Sequence, residues 1–137
     1  MSVDPDCSPE ITAMIGVSAA IAISDIPWDG PISGVNVGLV DGNIVINPGL
    51  EDRAKSDLVL TVASTADLIA MIEAGGNEIS DDQMFDAIMA GHEENKKIVK
   101  FIQGIVDEIG KPKFAYESSD PDPEILAQIE EIGRAHV

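Results

Sequence analysis

Positive charge is scarce in this chain: 8 Lys and Arg stand against 25 Asp and Glu over 137 residues, a formal net charge of −17. Such a surface repels phosphates and anionic lipid, which excludes this piece as the main clamp on nucleic acid and as a membrane-surface binder. Aromatic residues are sparse as well, at 4%, so any core must be built from Val, Ile, Leu and Met. With 45% hydrophobic residues these suffice to offset chain entropy, which rules out a disordered acidic tail, and the length fits one domain. The lone cysteine, Cys7, can form neither an internal disulfide nor a cysteine-based zinc site, which points to a reduced, cytoplasmic protein with an incidental thiol. Long apolar runs are missing too. Ile11 to Ile23 gives about 13 residues, interrupted by Gly16 and Ser18, against the roughly 20 of a membrane-spanning helix. No basic segment followed by an apolar run and a small-residue cleavage site opens the chain, so no secretory signal is expected. Phosphate-binding glycine loops, HExxH, CxxC and Gly-x-Ser-x-Gly are all absent.

What is present reads as ordered elements. Ser8-Pro9-Glu10 supplies a capping hydroxyl, a proline at the first helical position and an acid in the first turn, predicting a helix from about Pro9 to Ser24. Its apolar residues occupy nearly every face, as in a helix covered on most sides, and Gly16, Ala19 and Ala20 would let a sheet approach closely. Asp41-Gly42 between two β-branched runs demands a two-residue type I′ turn. Pairing Val40 with Asn43 places Val37, Leu39, Ile44 and Ile46 on one face and Asn36, Gly38 and Val45 on the other. Glu51 to Ser56 reads as an exposed connector and Asp57 to Ala63 as a third strand. Asp67 to Ala74 is ambiguous, because Leu68, Ile69, Met71 and Ile72 fall at helical spacing. Ser80 and Gln83 form a capping box that opens a long helix of about 30 residues, closed by Gly110 and Pro112. That length exceeds what a small core requires, so this helix is expected to pack against another domain or subunit as well. Lys113 to Pro123 has the character of a linker, and Glu124 to Glu131 begins a further helix.

Few residues are candidates for chemistry. His92 lacks a second histidine nearby and reads as a boundary residue hydrogen-bonded at the helix edge. Glu93 and Lys97 are spaced as a surface ion pair. Asp57, at a strand start, is a weak candidate metal ligand, because Val59 on the same face is apolar; a strand-start cap is its other role. Asp81 and Asp82 suit the helix N-terminus rather than catalysis. The residues by themselves reach an α/β domain without an assembled active site.

A specific resemblance enters at Ser2-Val3-Asp4-Pro5 and Ile11 to Ala20. It continues through Ser24 to Ile32, Asp41-Gly42, Ile46-Asn47-Pro48, Ser56-Asp57-Leu58 and Glu73-Ala74-Gly75 to Gly91-His92-Glu93. Over about Met1 to Glu131 the chain resembles the polynucleotide phosphorylases, ring-forming phosphorolytic 3′ exoribonucleases. The matching region is the second subdomain of their first ribonuclease PH-like core, continuing into the linker toward their helical domain. The resemblance implies an α/β (α+β) fold, a small mixed β-sheet between two helices, in which Asp67 to Ala74 is a strand despite its local spacing. It divides the chain into residues 1–114, a domain 2-like unit truncated on its N-terminal side; 115–131, linker and start of the helical domain; and 132–137. That last segment resembles a translated sequencing adapter and is set aside.

The family enzymes shorten RNA with inorganic phosphate and Mg²⁺, release nucleoside diphosphates, and act as homotrimeric rings. Their catalytic acids and lysine lie in the second core, on a strand reading acid-x-acid-x-Lys. Here the corresponding stretch is Asp57-Leu58-Val59-Leu60-Thr61. Val59 cannot hold Mg²⁺ and Thr61 cannot offset phosphate charge, so the resemblance implies a non-catalytic copy: no catalytic, cofactor-binding or metal residues, no bound cofactor and little direct RNA contact. Ser64 replaces a glycine common in the family, a tolerable turn change. The alternative is a self-contained acidic α/β interaction module without RNA chemistry. A single-core ribonuclease PH relative would need acids at both 57 and 59 and is not supported.

Overall fold

The computed structural model describes residues 3–117 and 119–135; the readings that involve Met1, Ser2, His136 and Val137 fall outside the described residues. Helix α1 (Pro9–Ile23) starts as its sequence dictates, with the Ser8 hydroxyl accepting from the Ile11 N–H and Pro9 in the first turn. The same hydroxyl donates to Glu10 Oε2 at 2.7 Å and holds that carboxyl below its ordinary pKa. Strands β1 (Ser33–Val40) and β2 (Asn43–Ile46) form the expected hairpin. Val40 faces Asn43 and Val37 faces Ile46, and the turn residues Asp41 and Gly42 have φ of 50° and 77°. Only glycine takes such a φ without cost. Gly42→Ala is therefore expected to lower stability by about 1 kcal/mol, the left-handed penalty for an L-residue, as read from urea unfolding.

Helix α2 (Leu50–Lys55) occupies the stretch expected to be a plain connector. Six residues are too short to show a period, and the capping group comes from far away. Asp6 Oδ1 accepts from the Leu50 N–H at 3.1 Å, while Arg53 Nη2 donates to the Pro5 carbonyl at 2.6 Å, so the N-terminal segment and α2 hold each other.

Strand β3 (Leu58–Ser64) pairs with β1, and β4 (Ile69–Gly76) with β3, giving the sheet order β2-β1-β3-β4. The segment with helical spacing is thus a strand, in register Leu60 to Ala74 and Val62 to Ile72. Two things override the local pattern. The outer backbone groups of β3 need a ladder partner, and the Thr65 hydroxyl accepts from the Asp67 and Leu68 N–H groups to turn the chain back at once. The sheet is antiparallel at every pairing, not mixed as the resemblance implies. A parallel neighbour needs a crossover of about a dozen residues or more. Here the two hairpins reverse direction immediately, and β3 crosses to the far side of β1 rather than lying beside β2.

Helix α3 (Asp81–Ile109) opens with both halves of the Ser80–Gln83 capping box and covers one face of the sheet. The core is Val35, Val37 and Leu39 of β1, Leu58, Leu60 and Val62 of β3, and Ala87 of α3, rimmed by Ile46, Ile69, Met84, Ile88 and Ile98. Helix α1 lies against the second face only at the start of β1, where a Cβ on Gly34 would collide with Met14, and Ser18 Oγ accepts from the Ile32 N–H at 3.1 Å. Most apolar residues of α1 are covered, Ile11 and Ala22 being buried and Met14, Ile15, Ile21 and Ile23 half-buried, but one stripe is open: Val17 is 59% exposed and Gly16 has open space beside it. Its apolar residues point in all directions, and it packs mainly against β1 and α3, with the segment that follows α3 bonded to its C-terminal end. Helix α4 (Pro123–Ala135) follows the linker and continues through Ile132 into the segment set aside above.

Candidate functional site

The stretch Asp57 to Thr61 alternates across the sheet. Leu58 and Leu60 point into the core at 1% exposure, while Val59 is 71% exposed on the opposite face. That open face also presents Asn36, Thr61 and Glu73, Thr61 standing opposite both Asn36 and Glu73 in the ladders. The Thr61 hydroxyl donates to Asn36 Oδ1 at 3.0 Å, and the Asn36 N–H donates to Asn47 Oδ1 at 2.9 Å. Beside this row lies a cavity of about 230 Å³ walled by Asn36, Pro48, Arg53, Ser56 and Val59.

Asp57 immediately precedes β3, with an exposed side chain. Its backbone is fixed, the N–H donating to the Leu39 carbonyl and its own carbonyl accepting from the Asn77 N–H, both at 2.9 Å. Capping of the strand start, assigned above to Asp57, is performed by its neighbour. Ser56 Oγ accepts from the Leu39 N–H at 2.8 Å and donates to the Leu58 carbonyl at 2.6 Å. A serine before an acid carries no signal that would have separated the two.

Mg²⁺ does not fit these residues. It prefers octahedral oxygen ligands, including one or two carboxylates, whereas the position after next on the Asp57 face is the methyl pair of Val59. Among the described residues no three of His, Cys, Asp and Glu cluster so that they could hold a metal ion. The face offers the Arg53 guanidinium, the Asn36 amide and Thr61 hydroxyl already bonded to each other, and the Glu73 carboxylate opposite that hydroxyl, which is taken up by Asn36.

His92 lies deeper than the boundary position expected for it: it is 6% exposed, and its Nδ1 is 2.9 Å from Ser64 Oγ. Ser64 is fully buried at the end of β3, where the register shifts, so it is part of the core rather than a turn substitution. Asn95 Nδ2 donates to the Val62 carbonyl at 2.9 Å from the same helix face. Ser64 and His92 have the atoms of a nucleophile–base pair, but without an opening to solvent they act as a satisfied polar contact that fixes α3 on β3. Sequence reasoning missed this contact because it joins residues 28 apart. On the outer side of α3 the ion pairs are Glu93–Lys96 and Glu94–Lys97, not the predicted Glu93–Lys97. Lys96 holds the Glu93 carboxyl below its ordinary pKa, mainly through their hydrogen bond. Among the described residues no helix is long and apolar enough to cross a membrane.

Residues 30–94 match the profile of the 3′ exoribonuclease family, domain 2. Over 132 residues, 96% of its length, the chain is 58% identical to the polyribonucleotide nucleotidyltransferase of Ruminiclostridium cellulolyticum and 54% identical to that of Lachnoclostridium phytofermentans. Over all 137 residues it is 49% identical to the enzyme of the same name from Geobacillus kaustophilus. In each case it spans 19% of the curated relative. Among solved structures it is similar to rice (Oryza sativa) Rrp46, with a TM-score of 0.66 and 16% identity over 77% of this chain and 51% of that one, a likeness of fold.

Proposed function

The chain belongs to the 3′ exoribonuclease family, and from that premise we propose that it serves as a non-catalytic scaffold subdomain of a cytoplasmic, phosphorolytic 3′-to-5′ exoribonuclease. The whole enzyme would use inorganic phosphate and Mg²⁺ to release nucleoside diphosphates from RNA. This segment would contribute contacts within a trimeric ring rather than chemistry. The observation that carries this reading is the outward-facing row Asp57, Val59 and Thr61: a valine stands where a second acid would be needed, and a threonine bonded to Asn36 stands where a lysine would be needed. The uncovered apolar residues support the contact role. Val17 on α1, Ile72 on β4 and Phe101 on α3 are 59%, 48% and 66% exposed and so available for such contacts. The net charge of −17 fits a part of the ring that does not face RNA.

The test is Asp57→Ala in a full-length polyribonucleotide nucleotidyltransferase carrying this segment. Phosphorolysis of polyadenylate is expected to keep kcat within about twofold of the parent. A drop of about 100-fold or more, the scale on which acid–base residues act, would assign Asp57 to the chemistry and overturn the proposal.

A further inference from the structure

The C-terminus of α1 is completed from outside the helix. The Ile21 carbonyl accepts from the N–H and the hydroxyl of the cap, Ser24, but the last turn contains no basic residue to meet the negative end of the helix dipole. Lys113 supplies what is missing. Its ammonium donates to the Ala22 and Ser24 carbonyls at 2.7 Å each and to the Ile21 carbonyl at 3.3 Å, from 89 to 92 residues away. Two backbone bonds flank it, the Lys111 N–H to the Ile23 carbonyl at 3.0 Å and the Phe114 N–H to the Asp25 carbonyl at 2.9 Å. The stretch that leaves α3 after Gly110 is thereby laid along the end of α1.

We propose that Lys113 is a charge-dependent latch: by binding the carbonyl end of α1, it sets the direction in which the linker toward α4 leaves the domain. The charge is what matters, because three convergent carbonyls have no use for an apolar side chain, while the three N–H bonds of an ammonium match them. The latch is local. Apart from these hydrogen bonds the segment has little hold, Phe114 and Tyr116 being 52% and 64% exposed. A reporter is built in, since Trp28, the only tryptophan, lines the same cavity of about 170 Å³ as Lys113, Ala22 and Val106.

The test compares Lys113→Met and Lys113→Arg with the parent in the 137-residue chain, by chymotrypsin cleavage after Phe114 and Tyr116 and by amide hydrogen exchange. In Lys113→Met the cleavage rate and the exchange of the Lys111 and Phe114 amides are expected to rise about tenfold or more, as loss of charge-assisted hydrogen bonds implies, while the β3 amides stay protected. Trp28 emission should shift to the red. Lys113→Arg, which keeps charge and donors, should stay within about threefold of the parent. Parent-like cleavage and exchange in Lys113→Met would overturn the latch. So would simultaneous loss of protection in β3, which would make Lys113 a determinant of the whole fold.

Discussion

Gly91→Val is expected to destabilise the domain by about 3 kcal/mol or more, because overpacking at a rigid contact typically costs about 1–3 kcal/mol and valine extends beyond the first atom that clashes. Gly91 sits on α3 directly against Val37 of β1 and Val62 of β3. A Cβ there would lie 3.1 Å from Val37 Cγ2, 3.1 Å from Val62 Cγ2 and 3.2 Å from Val62 Cβ. Those neighbours cannot withdraw: Val37 and Val62 are 1% and 0% exposed and branch at Cβ, so neither has an alternative rotamer leading out of the core. The contrast with Gly34 is informative. A Cβ at Gly34 collides with the Met14 sulfur, the far end of an unbranched side chain that can swing aside. Gly91→Ala is the intermediate case, since about 1 kcal/mol of gained helix propensity offsets part of the crowding. Guanidinium unfolding of the three variants should therefore rank Gly91→Val well below Gly91→Ala, with Gly34→Ala nearest the parent.

Leu60→Ala is expected to cost about 3–4 kcal/mol, within the range for a buried leucine whose cavity cannot collapse. Leu60 is 1% exposed at the centre of β3, between Val37 of β1 and Ala74 of β4 and beneath α3. Against a total of about 5–15 kcal/mol for an ordinary domain, that loss would leave a substantial unfolded population. Val59→Ala, one position earlier, is the matched control. Its side chain is 71% exposed on the other face, so it should change stability by no more than about 0.5 kcal/mol. Equal losses from the two variants in urea titrations would show that the alternation of β3 is wrong.

How much of this was legible in the sequence depended on whether the signal was local. Asp41-Gly42 fixed the β1–β2 register because a two-residue turn leaves one pairing, and Ser80 with Gln83 located the start of α3 because a capping box is self-contained. Strand β4 was not legible locally. Its apolar residues have helical spacing, and only the family resemblance gave the right assignment, through pairing with β3 that no window of β4 contains. Helix α2 was missed because its cap, Asp6, is 44 residues away. At the candidate site, the substitution pattern at Asp57, Val59 and Thr61 was readable, but the contacts that define the surroundings were not. Ser56 rather than Asp57 caps the strand, Thr61 is bonded to Asn36, and His92 is bonded to Ser64 inside the core; each is a side-chain choice settled by tertiary neighbours.

That this segment has the fold of a phosphorolytic exoribonuclease without its chemistry is tested most directly by one assay. The purified chain is incubated with polyadenylate, inorganic phosphate and Mg²⁺, and released ADP is measured. No phosphate-dependent ADP above a protein-free blank is expected. Phosphate-dependent release that disappears in Asp57→Ala would contradict the non-catalytic role.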